Sequence, residues 1–275
     1  MPDALIECIP NFSEGRDEKK ISAIAAAVKN TPQIKFLDLH SDIDHNRSVI
    51  TFMGSPLAVK TAAYNLAAKA FELIDISKHE GVHPFIGAVD VMPFVPLKNS
   101  SIDDCCALAK DLGQMIWKNF QVPVYFYGYA AQIEARKDLA YVRKGGYKTL
   151  VSEIKNPKRV PDIGNSQMHP TAGAIAIGAR DFLIAYNINL KSDNLEAAKE
   201  IAKSIREKNG GLQGVKALGV FLPSRNIAQV TVNITNHRET TMDQVLSQVE
   251  KKAREKGIEI LDTEIVGLLP KDLPV

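Results

Sequence analysis

Residues 78–94 read KHEGVHPFIGAVDVMPF and join a helix-like pattern to an apolar run that begins at Val89. The stretch holds two of the six histidines of the chain. Gly81 permits unusual backbone, and Pro84 disfavours helical backbone at the residue before it. Titratable groups are nowhere else so dense beside residues that fix the backbone, so we expect any chemistry of the chain here.

The spacing of His79 and His83 matches H-E-x-x-H, in which a helix presents two histidines to zinc and the Glu acts as base. Here Gly81 lies between the histidines, Pro84 follows the second, and no third ligand follows at the extended spacing. We therefore expect no metal at this pair. Two alternatives stay open. The histidines could lie at a helix end without a chemical role, or the protein could be a metal-dependent hydrolase.

Length and composition are typical of a globular protein with one large core or two smaller ones. The 275 residues are 45% apolar and 24% charged, with a formal charge of +2. No basic stripe interleaved with aromatic residues is present, so we expect no nucleic-acid partner. No apolar run is long enough for a membrane span, and the first residues do not begin a signal peptide. Three cysteines without metal-ligand spacing favour a reducing, cytoplasmic location.

Hydrophobic periodicity predicts alternating strands and helices. In the first half, strands are predicted at 4–9, 34–39, 47–53, 89–97 and 122–127, and helices at 17–30, 55–74 and 101–120. In the second half, strands are predicted at 181–190, 215–222, 227–234 and 258–266, and helices at 193–209 and 241–256. Both halves contain the order β-α-β-β-α-β, which is ferredoxin-like. We predict an α/β (α+β) fold with two subdomains, residues 1–180 and 181–275.

Several separate stretches of the chain match, in order, the sequence patterns of one protein family. Residues 79–96 carry the fixed letters of the family pattern H-x-G-x-H-P-R-x-G-A-x-D-V-x-P-F-x-P, except that Phe85 replaces the Arg. Further matches, in the order of the family, are Glu7–Gly15, His45–Val49, Pro161–Gly164, Gly178–Arg180, Asn187–Leu190 and Arg225–Val230. The chain therefore resembles the folate-dependent glutamate formiminotransferases over nearly its whole length.

The resemblance implies two α/β subdomains whose sheets face each other across a folate-binding cleft. It also implies a homodimer of one-carbon metabolism and histidine catabolism, with tetrahydrofolate as co-substrate and formiminoglutamate as donor. A formyl donor is an alternative to the formimino donor. We expect a stand-alone form without the cyclodeaminase domain of the bifunctional relatives.

His83 matches the catalytic histidine of the family. Formimino transfer requires the attacking N5 of tetrahydrofolate to lose a proton and the leaving glutamate nitrogen to gain one. Histidine is the side chain whose ordinary pKa suits both steps. We expect His79 to orient or pack beside His83. Arg47 is expected to have a polar site role, and Asp90 and Asn11 to orient groups or cap turns.

A loop and a helix supply the expected folate-binding residues. The loop matches the folate-binding stretch of the family and comprises Gly164, Asn165, Ser166, Gln167, Met168, His169, Pro170, Thr171, Ala172 and Gly173. Small residues and exposed amides let backbone donors approach a flat pterin closely. Lys203 and Arg206, on the helix predicted at 193–209, match positions near folate in relatives. An ordinary surface loop and a solvated helix face are the alternatives.

Two departures from the family pattern leave the activity open. Phe85 replaces an Arg, and Tyr129 replaces a Glu that usually follows the preceding Tyr-Gly. If the two family residues formed an ion pair, their joint replacement by apolar rings can be neutral, and Phe85 should then lie beside Tyr129. A folate-binding paralogue with altered substrate or little transferase activity is therefore a second interpretation.

Overall fold

The computed structural model describes residues 4–270, which form two compact units with a boundary between Asp181 and Phe182. Residues 1–3 and 271–275 of the two predicted subdomains lie outside the described residues. None of the helices described is long and apolar enough to cross a membrane.

The first unit contains a seven-stranded mixed sheet. Its elements are β1 (Leu5–Cys8), β2 (Asn11–Phe12), α1 (Glu18–Lys29), β3 (Ile34–Asp42), β4 (Arg47–Gly54), α2 (Pro56–Leu73), β5 (Val89–Lys98), α3 (Ile102–Phe120), β6 (Val124–Gly128), α4 (Leu139–Val142), α5 (Gly146–Glu153) and β7 (Ile175–Ala179). β1 pairs antiparallel with both β4 and β5, and β3 pairs with the far side of β4. This is the ferredoxin-like arrangement, and β7 and then β6 extend it in parallel with β5.

The long helices of this unit begin at residues that cap them. The side chains of Asp17 and Ser55 accept from backbone N–H groups at the starts of α1 and α2, and Ser101 forms a capping box with Asp104 at α3. These helices cover one face of the sheet, where Phe52, Leu66, Phe94 and Leu112 lie in one core cluster. Because side chains alternate along a strand, Arg47 and Thr51 of β4 lie on the opposite face from Phe52.

The second unit is a four-stranded antiparallel sheet with two helices. Its elements are β8 (Ile184–Leu190), α6 (Leu195–Ile205), β9 (Val215–Leu222), β10 (Ile227–Ile234), α7 (Met242–Arg254) and β11 (Ile260–Val266). The strand order β11-β8-β10-β9 is that of a complete ferredoxin-like sheet. The unit has its own core, which includes Ile188, Ile201, Val230 and Val249.

The predicted α/β (α+β) class with two such units is confirmed, and most elements agree within three residues. Strands β2 and β7 and the short helices α4 and α5 were not predicted. β7 is a parallel strand of two isoleucines, two alanines and Gly178, and it is buried throughout, so it shows no alternation of apolar with polar residues. The predicted helix at 193–209 is wrong at its end, because α6 stops at Ile205 and a 3₁₀ turn follows at Glu207–Asn209.

Candidate functional site

The backbone that carries His79 and His83 is not helical. A 3₁₀ turn at Ile76–Lys78 ends at His79, whose φ of −76° and ψ of 136° are extended. The Val82 N–H then donates to the Asp44 carbonyl at 3.1 Å. A Cβ added at Gly81 would collide with the His45 carbonyl oxygen. Only glycine therefore allows the backbone at position 81 to approach the turn that contains His45 so closely.

The zinc-protease alternative requires both histidines on one helical face, and this geometry does not form. Within residues 4–270, moreover, no group of three or more His, Cys, Asp or Glu residues could hold a metal ion.

Asp90 anchors the turn that follows His83. Its Oδ1 accepts from the Ile86 N–H at 3.0 Å, and its Oδ2 forms an ion pair with the Arg143 guanidinium. The Asp90 side chain is 2% exposed and that of Arg143 is 15% exposed. A charge-assisted bond in such a buried place is strong, so the turn is held firmly against α4.

His83 is half-buried, and its ring centroid lies 6.0 Å from that of the buried His45. Burial lowers the pKa of His83 well below its usual value, and the positive charges of Arg47 and Arg143 and the nearby His45 lower it further. The imidazole is therefore neutral at neutral pH and has a lone pair available to accept a proton.

His79 is held in an aromatic and amide environment. Its ring meets the Phe85 ring edge to face with centroids 4.5 Å apart, and its Nδ1 lies 3.4 Å from the Asn46 Nδ2. Burial lowers the pKa of His79 to about 4. This ring is thus neutral and packed beside the His83 turn.

Asn46 connects three segments of the site. It has a left-handed backbone with φ of 46°, its Oδ1 accepts from the Gly15 N–H at 2.9 Å, and its Nδ2 donates to the Glu80 carbonyl at 2.8 Å. The next residue, Arg47, donates from NH1 to the Asn11 Oδ1 at 3.4 Å. The structure thus brings Asn11, Arg47, His79, His83 and Asp90 of the predicted set into one region of the first unit.

The second half of the predicted folate loop is bonded directly to the central stretch. Gly87 and Gly173 form an antiparallel bridge, and the Ala88 N–H donates to the Ala172 carbonyl at 2.9 Å. The His169 Nδ1 accepts from the N–H groups of Thr171 at 3.3 Å and Ala172 at 2.9 Å, which closes the turn. Burial lowers the pKa of His169, in agreement with this acceptor role.

The first half of the loop leaves the central stretch. Gly164 has φ of 106°, and a Cβ there would lie 2.7 Å from the Trp117 ring of α3, so both conformation and space require glycine. Exposed residues of the loop are Gly164, Asn165, Gln167, Pro170 and Thr171, whereas Ser166, Met168 and His169 are half-buried and Ala172 and Gly173 are buried.

Arg206 of the predicted set belongs to the second unit. It follows α6 directly, and its carbonyl accepts from the Gly211 N–H at 2.9 Å. Its Nε is buried, and the described part of the chain offers this atom no hydrogen-bond partner. Lys203, in the last turn of α6, is exposed.

The expected contact between Phe85 and Tyr129 is wrong. Strands β5, β7 and β6 are parallel, with Phe94 beside Ala179 and Ala179 beside Gly128. Phe85 precedes β5 and Tyr129 follows β6, so the two residues lie at opposite ends of these strands. The Phe85 ring instead contacts His79, and Tyr129, which is 58% exposed, donates its hydroxyl to Asp181 at 2.7 Å.

Three residues of this region, His45, Arg143 and Tyr147, were not predicted from the sequence. The Tyr147 ring stacks on Phe85 with centroids 6.4 Å apart, and Arg143 pairs with Asp90. His45 stood in a stretch that matched the family pattern and could have been selected by its position beside Arg47. Arg143 and Tyr147 lie in a segment without a predicted element, and no sequence signal connected them to His83.

Two family profiles match nearly the whole chain. The profile described as "Formiminotransferase domain, N-terminal subdomain" matches residues 5–180, and that described as "Formiminotransferase domain" matches residues 185–274.

Proteins similar to this chain include three that are named as formimidoyltransferases. A glutamate formimidoyltransferase of Thermoplasma acidophilum is 44% identical over 270 residues, which cover 98% of this chain and 89% of that protein. A glutamate formimidoyltransferase of Streptococcus pyogenes is 39% identical, with 97% of this chain and 89% of that protein covered. A formimidoyltransferase-cyclodeaminase of Rattus norvegicus is 40% identical over 97% of this chain and 50% of its own length.

Proposed function

This chain belongs to the formiminotransferase family and is a transferase of the glutamate formimidoyltransferase type, and from that premise we propose that it moves the formimino group of formiminoglutamate to N5 of tetrahydrofolate with His83 as general acid and base. The observation that carries the proposal is the position of His83 on a turn fixed at both sides, where burial and the nearby arginines lower the pKa of its ring. The close approach of Gly81 to His45 holds one side, and the Asp90 bond to Ile86 holds the other.

The reaction needs one proton moved between two nitrogens. N5 attacks the formimino carbon, and His83 accepts the N5 proton as the new N–C bond forms. The imidazolium then donates this proton to the glutamate nitrogen as its bond to the carbon breaks. The depressed pKa of His83 makes the protonated ring a strong acid, which favours the second transfer.

The proposed folate-binding residues are those of the loop from Gly164 to Gly173, together with Arg206 of the second unit. The bonds from this loop to residues 86–88 support the assignment, because they fix its end beside the turn of His83. Placement of a reacting nitrogen near a proton acceptor depends on such fixed elements. A cytoplasmic homodimer belongs to the same proposal and rests on family membership.

The surroundings of Phe85 are compatible with a second function. Phe85 fills its position with ring contacts to His79 and Tyr147 instead of a guanidinium. If the family Arg binds the donor, a folate-binding paralogue with altered substrate or little transferase activity would lack that guanidinium, as this chain does.

The test is incubation with tetrahydrofolate and formiminoglutamate, with formimino-tetrahydrofolate measured spectroscopically. We expect turnover, and we expect His83→Asn to lower kcat by about two to four powers of ten. His237→Asn, a change of the same kind in the second unit, should retain activity. Folate binding without turnover would favour the paralogue, and full activity of His83→Asn would remove this residue from the mechanism.

A further inference from the structure

The segment of residues 139–153, which contains α4 and α5, lies against the turn of the proposed catalytic histidine. The Tyr147 ring stacks on Phe85 with centroids 6.4 Å apart, and the Arg143 guanidinium forms an ion pair with Asp90. Both partners follow the histidine in the chain, so the position of this segment affects the turn that carries it.

The same segment also packs against the proposed folate-binding loop. Val142 of α4 and Leu150 of α5 are buried in one small core cluster with Ile86, and Met168 of the loop packs against that cluster. A shift of the segment would therefore disturb apolar contacts that the loop and the turn share.

The local sequence does not hold this segment in place by itself. α4 is only four residues long, and helices of this length are unstable without tertiary contacts. Gly145 and Gly146, which separate α4 from α5, have φ of 78° and 67°, in the left-handed region that glycine adopts freely. The position of α4 must therefore come from contacts with other parts of the unit.

The Arg159 side chain supplies such contacts. Its NH1 donates to the Tyr141 carbonyl at 2.8 Å. Its NH2 donates to the carbonyls of Val142 at 3.2 Å and Lys144 at 3.1 Å. Carbonyls at the end of a helix lack helical partners, and a positive charge there is favourable. Arg159 is 7% exposed, and hydrogen bonds from a buried charged group are strong. One guanidinium therefore holds the backbone on both sides of Arg143.

Arg159 is itself fixed to the sheet. Its carbonyl accepts from the hydroxyl of Tyr125, a buried residue of β6, at 2.6 Å, and its N–H donates to the Asn156 carbonyl at 2.7 Å. The Glu153 carboxylate lies 3.6 Å from the Arg159 Nε and is 48% exposed, so solvent weakens this ion pair. Arg159 thus connects β6 to the end of α4.

The ion pair of Arg143 transmits this position to His83. The Asp90 Oδ1 accepts from the Ile86 N–H at 3.0 Å while its Oδ2 pairs with Arg143, so one carboxylate connects the end of α4 to the turn. Burial lowers the pKa of His83 most, and the charges of Arg47 and Arg143 lower it further. A displaced Arg143 would therefore change both the geometry and the proton affinity of the imidazole.

We propose that Arg159 is a positioning residue of the site, because it holds Arg143 where the pair with Asp90 fixes the catalytic turn. Among the described residues, the Arg159 side chain donates hydrogen bonds only to carbonyls of the segment 141–144, so it acts through this segment and not on a substrate. The inference deepens the proposed function, on which its kinetic readout rests.

The test compares Arg159→Gln and Arg159→Lys with the unmodified protein in the pH profile of kcat/KM. Arg159→Gln removes the fork of donors, so Arg143 should move and kcat should fall by about 10–100-fold. The acidic limb should move to higher pH, because a displaced Arg143 disfavours the imidazolium less. Lysine keeps the charge but presents its donors from one point, so Arg159→Lys should show smaller changes in the same directions. A loss of stability alone would lower the amount of folded enzyme without moving the limb.

Titration of the His83 ring by NMR gives the same readout without turnover. The titratable and charged groups around this ring are His45, Arg47, Arg143 and, through its ion pair, Asp90. Of these, only Arg143 lies in the segment that Arg159 holds, so its displacement should raise the pKa of His83. A raised pKa of His83 in Arg159→Gln, without turnover in any of the proteins, would support the positioning role and refute the proposed reaction.

Two variants serve as controls. Lys158→Gln removes an exposed positive charge next to Arg159. Leu112→Ala opens a cavity in the core beneath α3 and so lowers stability without a change at α4. Neither variant should move the acidic limb.

An unmoved acidic limb and an unchanged pKa of His83 in Arg159→Gln would overturn the inference. A double variant tests the route. In Arg143→Gln/Asp90→Asn the pair is replaced by neutral groups, so the addition of Arg159→Lys should not move the limb further. A further shift would show that Arg159 acts by another route and would also overturn the inference. If Arg159→Gln or the double variant does not fold, Arg159→Lys decides the question by the same two readouts.

Discussion

At the residue scale, the charges around His83 set when it can accept a proton. The groups that act on it are His45 and Arg47 from the adjacent turn and Arg143, itself paired with Asp90 of β5. Burial is the largest cause of the low pKa of His83, and the arginines add to it because a positive charge disfavours the imidazolium. The neutral ring is therefore the form present across the neutral range.

The first prediction concerns the pH dependence of kcat/KM. Activity that requires neutral His83 is lost as the pH falls through its pKa, so the acidic limb should lie well below pH 6.5. Arg47→Gln removes a repulsive charge, raises the pKa of His83, and should move this limb to higher pH. Profiles of the two proteins over pH 4–9 check this, with Lys144→Gln as control. A shift to lower pH, or no shift, would contradict the charge argument.

The second prediction concerns Glu7, a buried carboxyl of β1 that is 1% exposed. Burial raises the pKa of Glu7 from 4.5 to about 7, against the positive charge of Arg180, which lowers it. The folded state therefore holds a proton between these two pH values that the unfolded state releases. The contribution to stability is present below pH 4.5 and falls by up to about 3 kcal/mol as the pH rises through 7.

Glu7→Gln keeps the side chain neutral and removes this dependence. We expect the variant to gain roughly 1–3 kcal/mol of unfolding free energy relative to the unmodified protein at pH 8 and little at pH 5. Urea unfolding at both pH values measures the gain, and the exposed Glu239→Gln serves as control. Equal effects at pH 5 and pH 8 would mean that the carboxyl is not protonated in the folded protein.

At the scale of elements, the sequence predicted strands and helices wherever pattern and capping agree. Strands β9 and β10 have the predicted bounds, and the capping box at Ser101 starts α3 as expected. β7 was missed because a strand buried on both faces has no alternation to detect. The short α4 and α5 follow each other across Gly145, so neither has the length at which periodicity is visible.

These misses explain why the site was predicted in part. The set from Asn11 to Asp90 came from elements that were predicted and from motifs with family patterns. Arg143 and Tyr147 came from the segment without predicted elements. The error about Phe85 and Tyr129 has the same origin, because β7 lies between β5 and β6 and is parallel to both, which places the two rings at opposite ends of these strands.

The third prediction concerns the close contact between Gly81 and the turn of residues 44–47. Gly81→Ala places a methyl group against the His45 carbonyl oxygen, which must move and shift the His83 turn. Misplacement by about 1 Å can cost roughly 100-fold in rate, so kcat should fall by about 10–100-fold while the fold survives. Gly210→Ala is the control for a methyl group added without a collision, because an added Cβ there meets nothing within 4 Å, although the φ of 82° at Gly210 lowers the stability of that variant. Activity of Gly81→Ala equal to that of the control would show that the turn tolerates the shift.

At the scale of the whole molecule, the repeated order β-α-β-β-α-β was enough to predict two units of one fold class. Each unit has its own sheet and its own hydrophobic core. Residues far apart in the first sequence half meet at the site because β1 lies between β4 and β5, which carry or adjoin Arg47 and Asp90. Strand order of this kind follows from the fold, whereas side-chain pairings across the parallel extension do not.

The last prediction concerns Arg206, the proposed folate-binding residue of the second unit. The buried Nε of Arg206 has no partner within residues 4–270, so an anionic folate tail would supply a missing acceptor. Arg206→Gln should therefore raise the Kd for tetrahydrofolate about 10-fold or more, with a larger effect for a polyglutamylated form. Lys208→Gln removes an exposed charge in the 3₁₀ turn that follows Arg206 and serves as control. Titration of each protein with both folates checks this, and an Arg206→Gln affinity equal to that of Lys208→Gln would remove Arg206 from the proposed folate-binding residues.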